Sequence, residues 1–159
     1  MIKSIKNTLF IIATSSLLIA CGFKPLHQKF INKIYIQDIE ITGERKAAYI
    51  LENNILLFSN ESSKNRFAIN IQLTKDKKSK IKNKAGKVTR YGLLLTANME
   101  LKNLNDNRII KKTFSQNGNY DVAKIYSNTI SNENNITKNM IDIISNDIIN
   151  FITISAGKE

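Results

Sequence analysis

A single cysteine near the amino terminus limits how this chain can fold. Cys21 closes a short apolar segment, Thr8–Ala20, which follows Lys3 and Lys6. A positive start, an apolar stretch and small residues at a cut site are the layout of a cleaved signal peptide. At 1.5 Å per residue the segment reaches about 20 Å, short of the roughly 30 Å hydrocarbon core of a bilayer. Cleavage before Cys21 would leave 139 residues and no second cysteine, so the fold must be stable without a disulfide.

The residues around this cut resemble the lipobox of bacterial lipoproteins. Leu18 is aliphatic, Ala20 is small, and Cys21 follows directly. The resemblance implies cleavage before Cys21, with lipid attached to its sulfur and to its new amino terminus. Each buried CH₂ contributes about 0.8 kcal/mol, so more than one acyl chain would anchor the protein stably. Gly22, where aspartate often retains lipoproteins in the inner membrane, implies the outer membrane. The alternative is a simple secretory signal, or a frayed anchor helix, with a coincidental cysteine.

The chain is expected to divide into a removed signal peptide (1–20), a lipidated start and linker (21–31), and one domain (32–159). After cleavage it carries 22 basic and 13 acidic side chains, a net charge of +9. A strongly basic exported domain favours acidic partners such as phosphorylated glycolipid or anionic headgroups. Lysine outnumbers arginine twenty to four, and Ile and Asn are abundant. Composition drift in an AT-rich genome therefore offers a second explanation for part of the excess.

Hydrophobic periodicity predicts four strands and one helix before residue 120. Apolar residues alternate over 67–74 and 88–102, as in half-buried strands. Residues 34–41 are rich in β-branched residues and alternate in their later half, and strand character resumes over 108–116. Asn and Asp over 103–107 predict a turn, whereas 117–120 is expected to be irregular. Between the first two strands, apolar residues recur every three or four positions and predict a helix over 45–58: Ala48, Leu51, Ile55 and Phe58.

A carboxy-terminal amphipathic helix is predicted over Ile136–Ile152, with residues 131–135 able to cap it. A membrane-surface helix would match its apolar face, but its polar face lacks the lysines of such helices, which favours packing on the sheet. The sequence thus predicts an α+β two-layer sandwich of order β-α-β-β-β-α. Its roughly four-stranded, mainly antiparallel sheet carries both helices on one face.

The sequence offers no catalytic constellation. His27 is the only histidine and lies in the linker, where a solvated polar role is the ordinary expectation. The chain contains neither an H-E-x-x-H nor a G-x-S-x-G motif, and no phosphate-binding glycine loop. We therefore expect a binding or scaffold protein rather than an enzyme, with no cofactor and no metal.

A lysine-rich stretch, residues 75–87, is the candidate ligand-binding feature. Four lysines keep a period of two and would project to one side of an extended chain, where they could meet several phosphates. The alternative is a solvated loop, or an edge strand whose lysines block aggregation. Nucleic acid is not expected, because no aromatic residue between Lys75 and Lys87 could stack on bases. The candidate anion-binding residues are Lys78, Lys80, Lys82, Lys84, Lys87 and Arg90.

The mature start Cys21-Gly22-Phe23-Lys24-Pro25-Leu26 resembles that of the LPS-assembly lipoprotein (LptE) family. Weaker similarities follow in order: a strand and helix over 34–58, the segment 86–91 leading into a long strand that ends at 101–103, and a helical carboxy terminus. The resemblance implies a small α+β sandwich without catalytic activity, anchored in the outer membrane and facing the periplasm. It further implies that the domain plugs the β-barrel LptD and helps deliver lipopolysaccharide. The rival interpretation is a periplasm-facing lipoprotein with an unrelated scaffolding or envelope-tethering role.

Overall fold

The computed structural model describes residues 34–156, so the predicted signal peptide, Cys21 and His27 lie outside the described residues. The six elements follow the predicted order. They are β1 (Tyr35–Gly43), α1 (Arg45–Leu56), β2 (Arg66–Lys82), β3 (Val88–Asn103), β4 (Ile109–Asp121) and α2 (Tyr126–Ala156).

The four strands form one mixed sheet in the order β1-β2-β3-β4. β1 runs parallel to β2, from Tyr35 opposite Arg66 to Gly43 opposite Leu73. α1 supplies the crossover that a parallel pair needs. β2, β3 and β4 pair antiparallel through short connections. The predicted mainly antiparallel sheet is confirmed.

Both helices cover the same face of this sheet. Every second residue is buried from Phe67 to Leu73 in β2 and from Leu93 to Asn103 in β3, as the alternation in the sequence predicts. The two-layer α+β sandwich is therefore confirmed. The central strands contribute Phe67, Ile69, Ile71, Leu73, Leu93, Leu95, Ala97, Met99 and Leu101, and the helices contribute Leu51, Ile55, Ile141, Ile144, Ile148 and Ile152. None of the described helices is both long and apolar enough to cross a bilayer.

The prediction that residues 117–120 are irregular is wrong. β4 continues to Asp121, with Gly118 opposite Leu93 and Tyr120 opposite Tyr91. Gly118 is present because α2 passes directly over it: an added Cβ would lie 2.5 Å from Ile136 Cγ2. From the sequence alone, a glycine that permits close approach of a helix cannot be distinguished from one that ends a strand.

The predicted start of the last helix is also wrong. α2 begins at Tyr126, ten residues before Ile136, and the expected capping residues 131–135 lie inside it. α2 also ends later than predicted, at Ala156. α1, in contrast, ends at Leu56, two residues before its predicted end. Residues 126–135 lack a strong apolar stripe. Their helical conformation therefore depends on contacts with the rest of the domain and not on the local sequence pattern.

Candidate anion-binding surface

The net charge of the described domain is concentrated at one end. We define the basic end as residues 75–90 and 121–133, which carry nine basic and three acidic side chains. The two segments are adjacent, because β3 pairs with β4 up to Arg90 opposite Asp121, and Glu133 lies 2.8 Å from Lys77 Nζ. The other described residues carry nine basic and nine acidic side chains. The whole excess of six positive charges therefore lies at the basic end.

The end of β1 explains why the lysine-bearing part of β2 protrudes. Gly43 has φ +113°, and a Cβ there would collide with the carbonyl oxygen of Leu73. Only glycine accepts this conformation readily, so the chain leaves the sheet here. Glu44 then caps α1 by accepting the Ala47 N–H at 2.7 Å. β2 continues as far as Lys82 without β1 beside it.

The structure interrupts the predicted row of four lysines. Lys78 lies opposite Gly92, and Lys80 Nζ donates to Asn119 Oδ1 at 2.9 Å, so both lie on the sheet face that the helices leave uncovered. The register shifts between Ser79 and Ile81 and again before Lys82, so the even spacing does not hold beyond Lys80. Lys84 lies in the following turn. The lysines therefore spread over the tip of the hairpin that β2 and β3 form, instead of lying in one straight row. Their binding role stays a prediction.

On the helix-covered face, an ion-pair cluster joins β2 to α2. Lys77 Nζ lies 2.8 Å from Glu133 Oε2, and Lys75 Nζ lies 3.4 Å from the other oxygen. The Tyr120 hydroxyl donates to Glu133 at 2.7 Å. Lys77 also stands 4.4 Å above the centre of the Tyr91 ring. This cluster fixes the first third of α2 against the hairpin, and sequence patterns gave no signal for it, since Glu133 is 56 residues from Lys77.

The cluster shifts the pKa values of its members. Partial burial alone would raise the pKa of Glu133, but hydrogen bonds from Lys77 and Tyr120 outweigh it and lower that pKa. Burial likewise opposes the charge on Lys77, yet the hydrogen bonds to Glu133 and Tyr120 raise the pKa of Lys77 above its usual value. Burial raises the pKa of the Tyr120 phenol. Near pH 7 the cluster is therefore a carboxylate held by the ammonium group of Lys77, the side chain of Lys75 and one neutral phenol.

Arg90 and Lys87 occupy different environments. Arg90 holds Asp121 in a two-pronged pair, with Nε 2.5 Å and Nη2 3.1 Å from the two carboxylate oxygens. This hydrogen bonding lowers the pKa of Asp121 and raises that of Arg90, so much of the guanidinium is already engaged. Lys87 instead lines an open cleft of about 530 Å³ together with Lys124 and Tyr126. Lys124 is a second exposed cation that sequence reasoning missed.

The fold is shared with several bacterial lipoproteins. Rare lipoprotein B from Shewanella oneidensis superposes with a TM-score of 0.57 at 8% identity, over 74% of this chain and 95% of that one. A putative lipoprotein from Caulobacter crescentus gives 0.53 at 14%, over 76% and 92%. A minor lipoprotein from Acinetobacter baumannii gives 0.51 at 12%, over 79% and 94%. No family model and no curated protein matches the sequence. At these identities the similarity concerns the fold, and the described domain has a fold that bacterial lipoproteins adopt.

Proposed function

We propose that this chain is an outer-membrane lipoprotein that plugs and supports assembly of the β-barrel LptD and helps deliver lipopolysaccharide to the outer leaflet. Lipid on Cys21 would hold the domain at the membrane, facing the periplasm. Two independent lines support this role: the fold is one found in bacterial lipoproteins, and the segment 21–26 resembles the mature start of the LptE family. The role is non-enzymatic binding and support.

The observation that carries glycolipid binding is the concentration of charge at the basic end. Ammonium groups spread over a hairpin tip can approach several phosphates at once, each acting as a point charge. Lys78, Lys80, Lys82 and Lys84 are all exposed, and Lys87 and Lys124 lie beside apolar side chains in the adjoining cleft. A surface that combines cations with apolar area suits a phosphorylated amphiphile such as lipopolysaccharide.

Charge reversal tests the glycolipid role. Changing Lys78, Lys80, Lys82 and Lys84 to Glu should weaken lipopolysaccharide binding at least about tenfold at low salt and flatten its salt dependence. The matched control reverses four exposed lysines elsewhere, namely Lys46, Lys64, Lys102 and Lys138. The control changes the net charge equally, so an equal loss of affinity in both variants would contradict a localised site.

Anchoring and partnership need separate experiments. Labelling with a radioactive fatty acid should mark the wild type and leave Cys21→Ser unmarked. Affinity capture of the native protein from membranes should then co-purify a large β-barrel. Labelled protein that repeatedly captures no barrel would favour the second candidate, a periplasm-facing lipoprotein that scaffolds or tethers other envelope components.

A further inference from the structure

Within the described part of the chain, half of β2 has no neighbouring strand on one side. β1 accompanies β2 only as far as Leu73, whereas β3 accompanies it to Lys82. The six residues Thr74–Ser79 keep unbroken register with β3, before the shift at Lys80. They form a regular edge about 20 Å long, which is the usual length of a strand.

The hydrogen bonds at the other end of β2 show which backbone groups point toward the open side. The Leu104 N–H donates to the Arg66 carbonyl at 2.9 Å, across the β2–β3 ladder. On the opposite side, the Tyr35 N–H donates to the Asn65 carbonyl at 2.8 Å. In an antiparallel ladder the bonded positions recur at every second residue, so even-numbered residues of β2 bond to β3 and odd-numbered ones point the other way.

This alternation continues to Ser79, because the register does not change before that residue. Three residues beyond the end of β1 therefore direct their backbone N–H and C=O groups to the open side: Lys75, Lys77 and Ser79. No described strand bonds to these groups, and an edge with unmet donors and acceptors is a template for strand pairing.

We propose that the edge formed by residues 74–79 binds an extended acidic segment of another protein as a fifth strand. Three N–H and three C=O groups give such a segment a continuous ladder, as in other cases of strand addition. Lys75, Lys77, Lys78 and Lys80 lie along or just beyond the edge, and Asp76 is the one carboxylate on it. Glu133 and Glu44 already approach Lys75 or Lys77, but the basic end as a whole keeps six excess positive charges, which favours an acidic segment. Carboxylates on the incoming strand would therefore face mostly ammonium groups.

The same lysines argue against a second copy of this chain as the occupant. Two such edges would bring their lysines together across the new ladder, and like charges directly opposite one another are unfavourable. Pairing with the same edge of a second molecule is thus unfavourable, whereas pairing with a segment of opposite charge is favourable. Failure of strand addition would leave the proposed envelope role of the domain untouched, because that role depends on the anchor and on exposed ammonium groups.

A synthetic peptide of alternating valine and glutamate, blocked at both ends, is a suitable probe for the full-length protein in detergent. The decisive variant is Ser79→Pro, which removes an outward N–H and leaves the β3 ladder intact. Its matched control is Ser79→Ala, which keeps that N–H. We expect affinity to fall about tenfold or more in the proline variant and to change less than about twofold in the alanine variant. A peptide with lysine in place of glutamate should not bind.

Amide hydrogen exchange supplies a readout that does not depend on any variant. Without peptide, the N–H groups of Lys75, Lys77 and Ser79 should exchange quickly, while those of Asp76 and Lys78 are protected by β3. With the acidic peptide, the three fast groups should become protected and the other two should change little. This alternating pattern is specific to strand pairing.

Three results would overturn the proposal. The first is peptide binding that leaves the N–H groups of Lys75, Lys77 and Ser79 unprotected from exchange. The second is equal affinity of the peptide for the proline and alanine variants. Either result would mean that the peptide is held by side-chain charge and not by strand pairing. The third is failure of the acidic peptide to bind while vesicles with anionic phospholipid bind all forms equally, which would assign the surface to lipid headgroups. Protection of Asp76 and Lys78 in the proline variant confirms that it is folded.

Discussion

At the scale of single residues, Gly118 marks the closest approach between the sheet and a helix. A Cβ there would lie 2.5 Å from Ile136 Cγ2 and 2.6 Å from Met140 Sδ. Both distances are shorter than carbon–carbon and carbon–sulfur contacts allow, so any side chain at this position must push α2 outward or displace those two side chains. The absence of a side chain thus sets the spacing of the two layers.

Gly118→Ala should lower the free energy of unfolding by about 1–3 kcal/mol, because the added methyl overpacks a filled site. Gly92→Ala is the matched control. Its Cβ would meet Asn119 Oδ1 at 3.5 Å, an ordinary contact, on the uncovered face of the same sheet. Urea unfolding of both variants checks the difference. Equal stabilities would show that α2 adjusts at no cost.

Glu133 is the residue whose ionisation should matter most to stability. Since its pKa is lowered in the folded protein, its contribution is present above the ordinary value of 4.5 and is lost as pH falls through the folded pKa. The raised pKa of Lys77 acts in the opposite direction: its contribution is full below the ordinary 10.5 and is lost as pH rises through the folded pKa. The Lys77–Glu133 pair therefore stabilises the fold fully between about pH 4.5 and 10.5.

Glu133→Gln should lower the free energy of unfolding by about 1–2 kcal/mol at pH 7, since it removes the charged acceptor of Lys77 and Tyr120. The difference from the wild type should shrink as pH falls below about 4.5, where the wild-type carboxylate becomes protonated. Glu61→Gln, at an exposed turn, serves as the control. A difference that stays constant from pH 7 to pH 3 would show that the ionised form contributes nothing.

At the scale of elements, the first third of α2 depends on contacts outside the helix. Thr129 is buried, and its hydroxyl accepts the Ala123 N–H at 2.9 Å, while Glu133 binds the hairpin. Asn and Ser, which are weak helix formers, occupy much of 126–135. The helix therefore extends this far because the sheet and the loop before the helix provide partners for it.

Thr129→Val keeps the shape of the side chain but leaves the Ala123 N–H without its acceptor. We expect the free energy of unfolding to fall by about 1–2 kcal/mol and amide exchange over 126–133 to accelerate. Thr137→Val is matched within the same helix, where the Thr137 hydroxyl donates only to the Glu133 carbonyl one turn earlier. The same exchange increase in both variants would argue against a special role for Thr129.

At the scale of the whole molecule, charge is distributed unevenly along the domain. The basic end carries nine basic and three acidic side chains, whereas the other described residues balance. Like charges that crowd a hairpin tip repel one another, and this repulsion opposes folding until salt screens it. We therefore expect the crowded lysines to lower the stability of the fold at low salt.

Raising NaCl from about 20 to 500 mM should therefore stabilise the wild type by about 1 kcal/mol. Replacing Lys78, Lys80, Lys82 and Lys84 by Gln should remove most of this dependence. The same change at Lys46, Lys64, Lys102 and Lys138 should leave it largely intact, although the net charge falls equally. Thermal or urea unfolding at several salt concentrations checks both expectations, and identical salt slopes for the two variants would refute them.

The sequence by itself determined the order of the elements, the paired central strands and the exposed lysines. Alternating apolar residues are a local requirement of a strand with one buried face, so β2 and β3 could be identified without knowledge of their neighbours. The cysteine and its preceding segment likewise carry a prediction that depends on no tertiary contact, and it lies outside the described residues.

Only the tertiary structure decided the rest. Gly118 belongs to a strand because α2 passes over it, and Thr129 belongs to a helix because Ala123 meets its hydroxyl. The register shift at Lys80 breaks the lysine row, and Glu133 and Lys124 join the hairpin from a distant segment. Each of these features depends on contacts between different elements or between an element and its flanking loop, where contact energy outweighs the local preference that a sequence pattern records.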